Sequence, residues 1–416
     1  MKTTNETLEE FYNHILGIET PWEVTSIKRD SKTREVTAIV NYKESEDPLC
    51  PECGIKGKLH DHRKRTWRHL DSCNHKTFVE ASIPRVNCPE HGIKQIPVNW
   101  AEKNSRFTLE FESIVLLWLK DDPISTVSVN FGISWDEVDG IMVRAVKRGL
   151  KRRKISKPTS IGIDETSFQK RHEYVTVILD KENDIVIDIL DNRKAETLKN
   201  WFETQQISDF SDVQSISMDM WDPFIKAVKL NFENADNIIA FDRFHVAQHF
   251  ANAVNKIRSE EHHALGAADS PLTRSKYQWL KNSVKTDNRA TKRKEFLSLT
   301  RMNLKTARAW RIKEAAALLW DYTYMGVAEK AWKKILYWIS HCRLKLMIKV
   351  GNMIRNYFWG ILNAIRLKAN NSMLEAKNAR IQKIKNMACG FRNRDRFKNS
   401  ILFHLGGLDI MPVATR

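Results

Sequence analysis

Two short cysteine-containing turns constrain the fold of this 416-residue chain more than any other sequence feature. Cys50 and Cys53 lie in "CPECG", and Cys88 and His91 lie in "NCPEHG" further along the chain. Each pair has the spacing with which a tight turn directs two ligands to one tetrahedral Zn²⁺. We therefore predict one structural zinc ion on these four side chains, and the alternative is free thiols beside an incidental histidine. The remaining Cys and His of this segment lack paired spacing and are interpreted as surface or structural residues: His60, His62, His69, Cys73 and His75.

The residues before and within this finger are either strand-like or strongly basic. The alternating runs "WEVTSI" and "REVTAIVNY", joined by "KRDSKT", predict a β-hairpin. Inside the finger, "HDHRKRTWRH" combines cations with an aromatic ring, a composition typical of nucleic-acid contact. The predicted DNA contacts of this segment are Arg63, Lys64, Arg65 and Trp67.

Residues 106 to about 152 show helical periodicity with one break. "TLEFESIVLLWLKD" is amphipathic, "DPIST" begins a second helix, "FGIS" is a turn, and "WDEVDGIMVRAVKRGLKRRK" is a third helix. This order predicts a helix-turn-helix domain, and the alternative is a helical spacer. Its predicted DNA contacts are Arg144, Lys147 and Arg148, followed by the basic linker "KRGLKRRKISKP".

The net charge indicates the kind of partner. The chain has 68 Lys and Arg against 51 Asp and Glu, a net charge of +17, and a sequence pI near 9.5, which favours a polyanion. The sequence has no uninterrupted apolar run of about 18 residues and no signal-peptide pattern, so we expect no membrane partner. The six cysteines do not resemble a disulfide framework, which favours a reducing, cytoplasmic location.

From residue 160 the period changes from helical to strand-like. Three strands, "SIGIDETSF", "EYVTVILD" and "DIVIDILDN", are followed by alternating helices and strands up to "NIIAFD". This order predicts a mixed α/β sheet of the ribonuclease-H-like type. Residues 245 to about 370 are then predicted to be almost wholly helical, with aromatic residues and Cys342 packed between helices.

Two acids follow strands that should be neighbours in this sheet. Asp164 is expected to end the first strand and Asp219 the fourth, so both carboxylates can emerge at one edge. A third ligand is expected on the helix of "NNSMLEAKNARIQKIKNMACGFRN", where Glu375, Asn378 and Gln382 form one polar stripe. Three such carboxylates supply hard oxygen ligands for two Mg²⁺, or Mn²⁺, in phosphoryl transfer. From the residues alone, Glu375 is equally well interpreted as a solvated helix acid.

Other acids compete for the same roles. Asp222 lies beyond the expected strand end, and Asp242, with His245 in "DRFH", is the leading alternative for the second ligand. Asp242 can also be explained as a helix N-cap. Glu165 is expected to face away from Asp164, because successive strand side chains alternate.

The ordered set "GIDE", "MDMW", "DRFH", "NNSMLEAKN" and "GFRNRDRF", behind a two-knuckle finger, resembles the ISL3-type insertion-sequence transposases of the DDE superfamily. The resemblance runs from the first knuckle to "HLGGL" and implies a ribonuclease-H-like core interrupted by a helical insertion. Asp164, Asp219 and Glu375 match its catalytic positions. Asp242 and His245 match a supporting element, and Asn378 is expected to act with them.

The resemblance also implies a function and an assembly. The expected activity is Mg²⁺-dependent cleavage of double-stranded DNA at the terminal inverted repeats of an element, then strand transfer to target DNA, in a bacterial, nucleoid-associated homo-oligomer. We expect five segments: a hairpin and finger (1–104), a helix-turn-helix domain with linker (105–157), the first part of the core (158–245), the insertion (246–365) and the final part of the core (366–416).

Basic residues near the expected site are candidate phosphate contacts, although solvated surface is the commoner role of any single one. They are Arg193, Arg380, Lys383, Lys385, Arg392, Arg394 and Arg396. Two rival functions remain open at this stage: a non-catalytic DNA-binding regulator, which needs no acids, and a zinc-containing RNA-processing nuclease.

Overall fold

The computed structural model describes residues 6–43, 48–154, 157–169, 173–204, 210–266, 270–281, 290–369 and 372–412. Two compact units are present. Unit 1 comprises Met1–Arg153 and Leu408–Arg416, and unit 2 comprises Lys154–Gly407.

Unit 1 begins with a helix and a five-stranded sheet, in the order β1-β2-β4-β3 with β5 paired to β4. The elements are α1 (Leu8–Ile15), β1 (Trp22–Asp30), β2 (Glu35–Tyr42), β3 (Lys58–Ser72), β4 (His75–Cys88) and β5 (Gly92–Gln95). The predicted hairpin is confirmed, since β1 and β2 pair antiparallel. Trp100 contacts both Trp22 and Trp67 edge-on, at ring separations of 5.2 and 5.5 Å. These three indoles form the centre of the small core.

Three helices follow in unit 1: α2 (Leu109–Leu119), α3 (Ile124–Phe131) and α4 (Trp135–Arg152). Gly132 ends α3 with φ of 60°, a left-handed conformation that glycine adopts without strain. Ser134 and Glu137 form a capping box that begins α4. The predicted helix, glycine turn and helix are therefore confirmed. The buried carboxylate of Glu112 on α2 forms ion pairs with Arg144 and Arg148 of α4, which fixes the two helices together.

Unit 2 is built on a second five-stranded sheet, in the order β10-β9-β6-β7-β8. Its strands are β6 (Ser160–Gln169), β7 (Glu173–Asp180), β8 (Ile185–Leu190), β9 (Ser215–Met218) and β10 (Ile239–Phe241), with α5 (Ala195–Thr204), α6 (Asp222–Asn231) and α7 (Ala235–Ile238) between them. Strands β6, β7 and β8 pair antiparallel, whereas β9 is parallel to both β6 and β10. The expected mixed sheet, with its first and fourth strands adjacent, is confirmed.

Helices make up the rest of unit 2. They are α8 (Arg243–Ala264), α9 (Lys276–Leu280), α10 (Ala290–Arg301), α11 (Lys305–Leu318), α12 (Met325–His341), α13 (Lys345–Asn356), α14 (Phe358–Arg366), α15 (Ser372–Met387) and α16 (Arg394–Leu405). Trp279, Trp332 and Cys342 are buried, as expected for helix packing. No helix within the described ranges is long and apolar enough to cross a membrane.

Helix α14 lies directly against β10, the strand that leads into Asp242. A Cβ atom added at Gly360 would overlap the ring of Phe241, and that ring is enclosed by Tyr357 and Trp359. Glycine at this position therefore sets the distance between helix and strand.

We expect Gly360→Ala to lower the unfolding temperature of unit 2. Displacing the enclosed ring should cost roughly 1–3 kcal/mol, which exceeds the gain in helix propensity of up to about 1 kcal/mol. Gly326→Ala in α12 is the matched control, because a Cβ there meets no atom within 4 Å. Calorimetric unfolding of the full chain tests this, and equal unfolding temperatures for the two variants would contradict it.

Candidate functional site: a zinc cluster and a carboxylate pair

The first candidate site lies at the finger of unit 1, where both knuckles meet. Ligand atoms of Cys50, Cys53, Cys88 and His91 all lie within 4.8 Å of one another. His91 Nδ1 is 3.9 Å from Cys50 Sγ and 3.7 Å from Cys88 Sγ, and the Cys53 and Cys88 sulfurs are 3.5 Å apart. A tetrahedral site with Zn–S bonds of about 2.3 Å places its ligand atoms roughly 3.8 Å apart. The four side chains therefore fit one zinc ion.

Local backbone geometry presents these ligands. Gly54 has φ of +72°, and its N–H donates to the Cys50 carbonyl at 2.8 Å, which closes the first knuckle. At the second knuckle, a hydrogen bond from the backbone of His91 is the largest cause that lowers the pKa of Cys88, to about 6. Because the thiolate is the form that binds metal, this knuckle is prepared for a cation.

The second candidate site lies at the junction of β6 and β9 in unit 2. Gly162 is the last residue of β6 that pairs with β9, and Asp164 lies two residues beyond it. Asp219 directly follows β9. The expectation that Asp164 ends its strand is wrong, since β6 continues to Gln169 by pairing with β7 alone. Asp164 is instead the point where β6 loses one of its two neighbours.

A histidine from α8 joins the two acids. His245 Nε2 is 2.7 Å from Asp219 Oδ1. Ligand atoms of Asp164, Asp219 and His245 lie within 4.8 Å of one another. Two carboxylates and an imidazole on three different elements thus converge on one point.

Helix α15 covers the other side of Asp164. The Asn378 amide donates from Nδ2 to Asp164 Oδ2 at 2.6 Å. One turn later, Gln382 Nε2 donates to Thr166 Oγ1 at 3.2 Å, and Lys385 Nζ donates to the Ser167 carbonyl at 2.9 Å. The polar stripe expected on this helix therefore runs along β6.

Glu375 lies on the same helix, one turn before Asn378. Its side chain is exposed, and it does not belong to the cluster formed by Asp164, Asp219 and His245 among the described residues. The structure thus brings together two of the three acids expected from the sequence, and adds a histidine and an amide.

The electrostatics of this cluster favour a cation. Burial and then the charge of Asp219 raise the pKa of Asp164 to about 7. Burial acts to lower the pKa of His245, but the hydrogen bond to Asp219 and the charges of the nearby acids outweigh it and raise that pKa. Each carboxylate oxygen keeps a lone pair beyond the hydrogen bonds described, so the pair can still accept a metal ion.

Asp242 takes the position expected of a helix cap. Its Oδ1 accepts from the Phe244 N–H at 2.9 Å at the start of α8, and its Oδ2 lies 3.7 Å from His245 Nε2. No sequence pattern pointed to Lys181, which is buried and donates from Nζ to Ser217 Oγ at 2.9 Å. Burial lowers the pKa of Lys181, and the charge of Asp242 opposes that shift.

On the opposite side of β6 from Asn378, Glu165 faces Arg193. Arg193 Nη1 is 3.4 Å from Glu165 Oε2. The expectation that Glu165 points away from Asp164 agrees with this contact. Arg193 also contacts two aromatic rings, Tyr174 and Trp221, which sequence reasoning missed even though Trp221 stands in the quoted "MDMW".

The residues predicted to contact DNA differ in how far their side chains are exposed to solvent. Trp67 is 1% exposed and belongs to the core of unit 1, so the prediction that it contacts DNA is wrong. The predicted DNA contact of Arg148 is also wrong, because this side chain is buried against Glu102 and Glu112. Arg144 is partly buried and pairs with Glu112. The spacing of Arg144 and Arg148 along α4 could not reveal that both pair with Glu112, which is buried on α2.

The remaining predicted cations differ in their contacts. Arg65 donates to the Ser105 carbonyl at 3.1 Å, and Arg394 pairs with Glu173 at 3.3 Å. Lys64 is exposed and pairs with Glu80 at 2.7 Å. The other exposed cations of this set are Arg63, Lys147, Arg380, Lys383 and Arg392.

Comparison with protein-family models gives three matches in chain order. Residues 46–91 match the zinc-finger of transposases IS204, IS1001, IS1096 and IS1165. Residues 96–146 match the helix-turn-helix domain of transposase family ISL3. Residues 161–401 match the ISL3 DDE model, which is described as a transposase. The three matches cover both candidate sites.

Curated proteins of similar sequence are also named transposases. The transposase for insertion sequence element IS1557 of Mycobacterium tuberculosis, in strains CDC 1551 and H37Rv, is 26% identical over 373 residues, covering 83% of this chain and 82% of the relative. The transposase for insertion sequence element IS1001 of Bordetella parapertussis is 22% identical over 356 residues, covering 84% and 86%.

We expect one zinc ion per chain by plasma mass spectrometry, and its loss in Cys88→Ser, because three ligands hold zinc far more weakly than four. Cys73→Ser is the matched control, since Cys73 is exposed and lies outside the cluster. Full zinc content in Cys88→Ser would contradict the assignment, as would its loss in Cys73→Ser.

We expect Asp164→Asn to stabilise the metal-free protein more at pH 8 than at pH 5. The folded-state pKa of about 7 exceeds the ordinary value of 3.8, so the cost of folding with Asp164 grows as the pH rises between these two values and is complete above pH 7. The cost should increase by roughly 2–3 kcal/mol between pH 5 and pH 8. Unfolding temperatures in EDTA at both pH values measure this. A stabilisation that is equal at pH 5 and pH 8 would contradict the repulsion.

Proposed function

This chain belongs to the ISL3 family of transposases, and on that premise we propose that it cleaves DNA at the terminal inverted repeats of an insertion sequence and transfers the freed strand to target DNA. The observation that carries the proposal is the approach of Asp164 and Asp219 at the point where the parallel pairing of β6 with β9 ends. Like-charged carboxylates held this close normally serve a cation or share a proton.

We propose that Asp164, Asp219 and Glu375 hold two Mg²⁺, or Mn²⁺, as a DDE site. Metal ions bound there would stabilise the attacking and leaving oxygens of phosphoryl transfer. Water would cut a phosphodiester at the element end and release a 3′-hydroxyl, which would then attack a target phosphodiester. Glu375 lies one helical turn before Asn378, whose amide contacts Asp164, and this proximity supports its place in the set.

The neighbouring side chains position these ligands. The Asn378 amide and the Glu165 N–H each donate to a different oxygen of Asp164, which fixes the plane of its carboxylate. His245 Nε2 contacts one oxygen of Asp219, Oδ1, and Asp242 caps the helix that carries His245. We therefore assign His245, Asp242 and Asn378 supporting roles, since groups of this kind tune ligand orientation.

The sheet order supports a ribonuclease-H-like core, with residues 158–245 and 366–416 as its two parts and the helices of 246–365 as an insertion. Residues 1–104 and 105–157 would form the finger and the helix-turn-helix domain. These would bind the inverted repeats, with Arg63, Lys64 and Lys147 exposed for phosphate contact. Pairing of two element ends implies a homo-oligomer, which would act at the bacterial nucleoid.

A non-catalytic, sequence-specific DNA-binding regulator is the second candidate. The observation in its favour is that Glu375 is exposed and lies outside the cluster of the two aspartates and His245. A regulator would keep the DNA-binding domains without needing a third acid.

The test is Mg²⁺-dependent cleavage of DNA that carries the terminal repeats. We expect Asp164→Asn, Asp219→Asn and Glu375→Gln to bind this DNA normally and to cut it roughly 10²- to 10⁴-fold more slowly, the range for losing several kcal/mol of transition-state stabilisation. Asp222→Asn is the control, because the Asp222 carboxylate accepts from the Tyr357 hydroxyl instead.

The outcomes separate the rival functions. Binding without cleavage by the wild type would favour the regulator. Faster cleavage of RNA than of DNA with the same sequence would favour an RNA nuclease. Normal cleavage by Glu375→Gln alone would remove Glu375 from the metal site and leave the two aspartates in place.

A further inference from the structure

The contacts of Arg193 with its neighbours distinguish it from the other exposed cations near the carboxylate pair. Its guanidinium carbon lies 4.9 Å from the ring centre of Tyr174 and 5.2 Å from that of Trp221. Its Nη1 lies 3.4 Å from Glu165 Oε2. Two rings and a carboxylate therefore hold this side chain in one orientation, although 43% of its surface remains exposed.

The chain positions of these groups place them beside the proposed catalytic site. Glu165 follows Asp164 on β6, and Trp221 lies two residues after Asp219. Because Arg193 contacts a residue close in the chain to each aspartate, a DNA strand bound at the carboxylate pair would present its flanking phosphates near this arginine.

The chemistry of the group suits a phosphate. Arginine presents five N–H donors in a planar fork that matches phosphate oxygens, and the contact with Glu165 involves Nη1 alone. Aromatic rings above a guanidinium restrict its rotation without using its donors. The Arg193 side chain is therefore already ordered before DNA binds, so binding costs less conformational entropy.

We propose that Arg193 binds one phosphate of the DNA strand next to the bond that is cut, and that Trp221 is a positioning residue that acts through Arg193. This inference rests on the proposed function, because it assumes that the strand occupies the carboxylate site. It adds a specific contact, a phosphate neighbouring the scissile one, and a role for Trp221.

A purely structural role makes a different prediction. If the stack only ties β7, β8 and α6 together, removing Arg193 lowers stability and slows cleavage to the same extent whichever phosphate of the DNA is modified. Binding of one phosphate instead makes the effect of the substitution depend on the charge of that phosphate alone.

The experiment is a scan of methylphosphonates, which remove the charge of one phosphate at a time, across the positions flanking the cleavage site. With the wild type, one position should lower kcat/KM by roughly 10- to 100-fold, the range of a charge-assisted hydrogen bond. On unmodified DNA, kcat/KM of Arg193→Ala should be lower than that of the wild type by a similar factor. The methylphosphonate at that position should not lower the kcat/KM of this variant any further. Arg301→Ala, an exposed arginine at the end of α10, is the matched control and should keep the wild-type scan.

Trp221 is tested in the same assay. Trp221→Ala should lower kcat/KM by less than Arg193→Ala, Trp221→Phe should restore most of the loss, and Trp221→Ala should have no further effect in the Arg193→Ala background. An added loss in that background would overturn the positioning role, and a scan for Arg193→Ala that matches the wild type would overturn the phosphate contact. A wild type that does not cleave any of these DNAs would instead refute the proposed function, since the scan then has no starting activity.

Discussion

The approach of two carboxylates, Asp164 and Asp219, is the constraint around which unit 2 is organised. Burial and then the charge of Asp219 raise the pKa of Asp164 to about 7, and hydrogen-bond donors around the pair offset part of that cost. His245 bonds to Asp219 from α8, and Asn378 bonds to Asp164 from α15. Two helices that are far apart in the chain thus each supply one hydrogen-bond donor to this pair.

The same principle explains why several arginines are not available to a ligand. Glu112 is fully buried on α2, and an unpaired buried carboxylate would strongly destabilise unit 1. Arg144 and Arg148 neutralise Glu112, so their charges are paired inside the helical domain. Arg193 contrasts with them, because its contact with Glu165 uses Nη1 and 43% of its side chain remains exposed.

Sequence patterns predicted most of the secondary structure because those patterns are local. The knuckles specify ligand pairs within four residues, and Ser134 with Glu137 marks a helix start within one turn. The adjacency of β6 and β9 followed from the order of strands and helices. What could not be predicted depends on partners distant in sequence. Trp67 has a basic context, yet its ring is enclosed by Trp100, and no local pattern distinguishes a base-stacking indole from a core one.

The sequence by itself determined the four candidate zinc ligands, the helix-turn-helix order and the adjacency of the two strands that bring Asp164 and Asp219 together, since each depends on short-range spacing or on strand order. Only the tertiary structure decided that Asn378 and His245 complete the carboxylate pair, that Glu375 stays exposed beside it, and that Tyr174 and Trp221 enclose Arg193. Asn378 is 214 positions from Asp164 in the chain. Side chains so far apart in the sequence meet only when the sheet and the helices packed on it have both formed.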